Sequence, residues 1–112
     1  MLDIYFIEDC KKLWELYGKV HNATIKLERW CRDTYHVQIR ELLTDDEFKL
    51  IMSKMTFEGT CIADYTRYMY PDYGEKAKYE LAYKNVRHLV KLSTDMLSTY
   101  VAALKRRKNK NN

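Results

Sequence analysis

The sequence predicts an all-α fold, an antiparallel bundle of three long helical segments, and three observations carry that prediction. Apolar residues recur three and four apart along nearly the whole chain. Helix-start patterns punctuate it at three places. No stretch alternates apolar and polar residues over enough positions to make a strand. With 112 residues, 46% apolar and 32% charged, the chain is long enough for one globular domain that buries roughly two thirds of its unfolded surface without staples or metal.

In the first segment Asp3 is placed to cap a helix, with Leu2 and Ile7 in the stapling positions around it. Phe6, Cys10, Leu13, Tyr17, Val20, Thr24, Leu27 and Cys31 then form a stripe, widened by Leu16, Ala23, Trp30 and Val37. A straight helix from Ile4 to Leu42 would span about 60 Å, against less than about 40 Å for the second segment. Counting back from a turn at Thr44 puts the end of the second helix beside Gly18 and leaves residues 4 to 17 without a partner. That arm carries Phe6, Ile7, Leu13, Trp14 and Leu16, too much apolar surface to leave in water. Either the chain bends at Gly18, a natural C-cap that would make four helices, or a second copy covers the arm. The bend is the preferred reading.

The second segment opens on Leu43-Thr44-Asp45-Asp46-Glu47-Phe48, a capping box in which Thr44 and Glu47 satisfy each other's amides while Leu43 and Phe48 form the staple. Its stripe is Phe48, Met52, Met55, Ile62, Tyr65 and Met69, widened by Ile51 and interrupted by Gly59. The methionines read as core filling, with an adaptable groove for a partner helix as the alternative. The third segment follows Pro71, where Asp72 and Glu75 repeat the capping pattern and predict a helix from about residue 73. Its stripe is Ala82, Val86, Leu89, Ser93, Met96, Tyr100 and Leu104, flanked by Val90, Leu97 and Val101.

Charge divides unevenly. The formal net charge is +4, but residues 105 to 112 hold five basic and no acidic residues, so the rest of the chain sums to −1. The expected organisation is a single bundle over residues 1–104 and a basic, fraying tail over 105–112. Cys10, Cys31 and Cys61 are odd in number and widely spaced, which predicts buried reduced thiols and a cytoplasmic protein. Asp3, Glu8 and Asp9 near the start argue against a signal peptide, and no apolar run of about 18 residues suggests a membrane span.

Chemistry-bearing motifs are scarce. Three glycines cannot build a phosphate-cradling loop, no nucleophile elbow surrounds Ser53, Ser93 or Ser98, and the cysteines fall on or beside apolar stripes. Cys31 and His36 lack the second pair a zinc site needs, and Asp33-Thr34-Tyr35-His36 approximates a di-iron spacing only once. The expectation is therefore no catalytic residues, no metal, no cofactor, and no small-molecule substrate.

What remains is surface recognition. Six of the ten tyrosines lie between residues 65 and 83. Tyr65, Tyr68, Tyr70 and Tyr73, around Pro71, predict an anchor cluster for a protein partner or a second copy. The leading expectation is a non-enzymatic protein-binding module, an adaptor, regulator or inhibitor of the kind a virus or mobile element carries. The alternative is a nucleic-acid-binding accessory protein that contacts phosphates through Lys84, Arg87, Lys91, Lys105, Arg106, Arg107, Lys108 and Lys110.

Overall fold

The computed structural model describes the backbone of residues 4–68 and 76–110, and the side chains of residues 8–63 and 80–110. Three long helices, α1 (Ile4–Tyr35), α2 (Asp45–Tyr68) and α3 (Lys76–Lys110), account for almost all of it, with one 3-10 turn over Ile39–Leu42 and no strand among the described residues. The expected all-α bundle is therefore present, in its three-helix form. It is a rod of 60 × 21 × 16 Å.

The Thr44 box forms: the Thr44 amide donates to Glu47 Oε1 at 2.9 Å and the Glu47 amide to Thr44 Oγ1 at 3.2 Å. A second such contact, unforeseen from sequence, opens the 3-10 turn, where the Gln38 amide donates to Glu41 Oε2 at 2.8 Å. The proposed caps Asp3 and Asp72 lie outside the described residues. α1 ends at His36, which adopts φ 59° and donates its amide to the Arg32 carbonyl at 3.0 Å, the left-handed stop that glycine more often supplies. The Cys31 thiol donates to the Val37 carbonyl and secures the same turn.

Gly18 does not break α1, so the bend read from sequence does not form. The reason lies in the connection. Residues 36–44 form a left-handed residue, a 3-10 turn and extended backbone, not a continuation of α1, so α2 pairs with α1 further along than a hairpin centred on Thr44 would allow. Tyr17 meets Glu58, ten residues before the end of α2. Cys10 and Tyr17 are buried with Cys61 of α2 and Val86 and Leu89 of α3, and Leu13 and Trp14 pack on that cluster. Of the arm over residues 4–17, Cys10, Leu13, Trp14 and Tyr17 are thus covered within one chain, Leu16 remains 45% exposed, and the side chains of Phe6 and Ile7 lie outside the described residues.

α3 is the spine. Both α1 and α2 pack along it far more extensively than they pack on each other. Its buried positions Ala82, Val86, Leu89, Ser93, Met96, Tyr100, Ala103 and Leu104 follow the expected stripe, and on α1 Cys10, Tyr17, Thr24 and Cys31 are buried at intervals of seven. A second cluster, at the connection end, holds Cys31, Ile39, Ile51, Met96, Tyr100 and Leu104. The basic stretch expected to fray is helical as far as Lys110.

Candidate functional site, a groove between α1 and α2

α2 is rotated from the face its sequence advertises, so that of the expected stripe only the flanking Ile51 is buried among the described residues. Of the expected stripe, Phe48, Met52, Met55 and Ile62 are 42, 46, 52 and 40% exposed. The buried positions are Ile51, Lys54 and Cys61. An apolar stripe at helical spacing ordinarily marks the core face. Here the core face instead carries a charged pair, and partners on α1 make its burial tolerable.

Lys54 is 1% exposed, and its ammonium donates to Glu58 Oε2. The same oxygen accepts the Tyr17 hydroxyl at 2.6 Å. His21 Nδ1 lies 3.3 Å from it without forming a hydrogen bond. Lys54 also sits 5.8 Å from the centre of the Tyr17 ring. Burial pushes the Glu58 carboxyl upward, but the hydrogen bonds from Lys54 and Tyr17 and the charges of Lys54 and His21 outweigh it and hold its pKa below the ordinary carboxylate value. Burial first, then the bond to Glu58, raises the Tyr17 phenol, so it stays protonated and remains a donor. The cluster ties α1 to α2 at mid-bundle.

Beyond that tie, toward the connection, a hollow lies between the two helices. The space between them is a groove of about 410 Å³. Phe48, Met52 and Met55 of α2 form one wall, and Ile25 of α1 faces them from the other. Buried Tyr100, Ile39 and Ile51 make the floor. The Tyr100 hydroxyl donates to Glu28 Oε1 at 2.9 Å, which fixes the floor to the α1 wall. The rim is basic: Arg29, Arg32 and Arg40 line the groove with exposed side chains, against the single carboxylate of Glu28. Arg32 makes only an exposed contact with Asp33, at 3.6 Å.

Of the residues expected to anchor a partner, Tyr65 and Tyr68 belong to the last turns of α2 and Tyr70 and Tyr73 fall between α2 and α3. The side chains of all four lie outside the described residues. The basic set expected to contact phosphates is divided. Arg106 donates through Nη1 and Nη2 to both oxygens of Glu47, at 3.0 and 2.6 Å, and through Nη2 to the Leu42 carbonyl. Its guanidinium holds the Glu47 carboxyl below its ordinary pKa. Arg107 lies over the Tyr35 ring at 4.8 Å. These two residues fasten the end of α3 to the connection. Lys84, Arg87, Lys91, Lys105, Lys108 and Lys110 are exposed.

The cysteines are all free thiols and all buried, and burial pushes Cys10 up to about 11. No group of three or more metal-ligating side chains occurs among the described residues, and no helix among them is long and apolar enough to cross a membrane. Comparison of the chain with protein-family models, curated proteins and solved structures returns no match.

Proposed function

We propose that this chain is a non-enzymatic protein-binding module that takes a helix of another protein into the groove between α1 and α2. The observation that carries this reading is the outward apolar stripe of α2. Phe48, Met52 and Met55 sit where a fourth helix would complete a bundle, Ile62 continues the exposed stripe beyond the groove, and the groove floor is already assembled to receive a helix. Apolar residues clustered on one exposed helix face mark an interaction surface, whereas the same residues scattered singly would not. Methionine side chains adapt their shape to a partner, which suits a recognition surface.

A second copy is a poorer occupant. Two grooves meeting face to face would set Arg29, Arg32 and Arg40 of one against the same three cations of the other. Phosphate binding along α3 has less support than the groove because Arg106 and Arg107, two of its five cations near the C-terminus, are engaged within the bundle.

The test is a selection of helical peptides from a displayed library on the folded protein, with the Met52→Glu, Met55→Glu double variant as the counter-screen. The expected result is enrichment of sequences with apolar residues at helical spacing that bind the wild type and not the variant. Ligands indifferent to the double substitution, or no enrichment at all, would overturn the reading.

A further inference from the structure

We infer that the helix this groove accepts is acidic along its margins. The inference rests on the proposed protein-binding reading and adds the chemistry of the partner. An occupant lying over Tyr100 presents its apolar side to Phe48, Met52 and Met55, and its flanks to the rim. On the α1 side that rim is Arg29 and Arg32, one turn apart on the same helix, and Arg40 of the 3-10 turn extends it across the connection end.

These three cations differ from the others near this end of the bundle. Arg106 is committed to Glu47, and Arg107 to the Tyr35 ring. Among the described residues no side-chain hydrogen bond or ring contact holds the Arg29 or Arg40 guanidinium, and that of Arg32 has only its exposed contact with Asp33. Glu28, the one carboxylate in the lining, accepts the Tyr100 hydroxyl and so sits toward the floor. Guanidinium groups on a rim pair bidentately with carboxylates, and the apolar floor between them excludes a purely ionic ligand such as free phosphate. Both features together describe an amphipathic helix with leucine-like residues on one face and glutamate or aspartate on the shoulders.

Two synthetic helical peptides with the same leucine face test this, one with glutamate and one with lysine on the flanking positions. Each is titrated against the intact protein by fluorescence anisotropy in low and in high salt. The glutamate peptide should bind about tenfold more tightly, the combined effect of three exposed pairs, and the gap should close as salt rises. The Arg29→Glu, Arg32→Glu, Arg40→Glu variant, its fold checked by circular dichroism, should reverse the preference. Equal binding of both peptides, lost in both cases on Met52→Glu with Met55→Glu, would overturn the acidic assignment while leaving the groove reading in place. Absence of binding by either peptide would overturn both.

Discussion

The two ends of the α1–α2 seam are built from opposite chemistry. At mid-bundle Tyr17 and His21 of α1 close on Lys54 and Glu58 of α2 through a largely buried polar cluster. Toward the connection the same helices flank a groove floored by Tyr100, with Phe48, Met52 and Met55 about half exposed along it. The contrast teaches that α2 is rotated about its axis: one charged pair, Lys54 and Glu58, turns inward beside Ile51 and Cys61 where it has partners, and Phe48, Met52 and Met55 turn outward where they have none. Burying an ion pair contributes little net stability, because desolvation offsets attraction. Its effect here is to orient α2, since no other face of that helix could satisfy Lys54 and Glu58 at once.

Breaking the closed end should produce the largest effect. Glu58→Gln leaves the Lys54 ammonium buried without its anion and should cost about 3 kcal/mol in urea denaturation, the penalty typical of a half-removed buried pair. Adding Lys54→Met should recover most of that loss. A cost below about 1 kcal/mol for the single variant would mean the cluster does not hold the seam.

The same residue sets a pH dependence. The folded-state pKa of Glu58 is depressed, so the unfolded chain binds a proton at higher pH than the folded one. Its stabilisation is present above the unfolded carboxylate value and lost as pH falls through the lower folded value. Wild type should therefore lose stability in acid more steeply than the Lys54→Met, Glu58→Gln double variant, as measured by thermal melts across that interval.

At the open end the expectation is reversed. Met52→Glu with Met55→Glu should change stability by less than about 0.5 kcal/mol, because both side chains face solvent, while weakening helix binding at least about tenfold. A large loss of stability would place these methionines in the core after all. Smaller effects sharpen the description of α1. Gly18 has no atom within 4 Å of where a Cβ would sit, so Gly18→Ala should stabilise a continuous helix by about 1 kcal/mol, whereas a bend at that position would make it destabilising. His36→Gly should add about 0.5 kcal/mol, as relief of the left-handed conformation is partly offset by the freedom glycine gains when unfolded. Chemical denaturation checks both.

The fold and the face of α3 were legible in the sequence because their signals are local. The Thr44 box lies within four residues, and the α3 stripe repeats the same spacing for six turns. The core face of α2 was not legible. A hydropathy pattern ranks Met52 and Met55 above Lys54 and Glu58, and only the arrival of Tyr17 and His21 from another helix reverses that order. The register of α1 against α2 was hidden for a related reason: it depends on where α1 stops, and His36 carries no glycine to announce the stop. Of the candidate groove, the methionine wall could be read as an alternative from sequence, but the basic rim could not, because Arg29, Arg32 and Arg40 look like ordinary solvated charges until Tyr100 and the α2 wall are placed beside them.

The central claim is that the apolar stripe of α2 faces outward in the free protein. Methionine oxidation by dilute peroxide, followed residue by residue with mass spectrometry over a range of protein concentrations, tests it most directly. Met52 and Met55 should oxidise quickly at every concentration, and Met96, 5% exposed beneath the helices, should oxidise slowly. Protection of Met52 and Met55 to the level of Met96 at the lowest concentration would contradict the claim by placing the stripe inside the bundle, and protection that grows with concentration would show a second copy covering it.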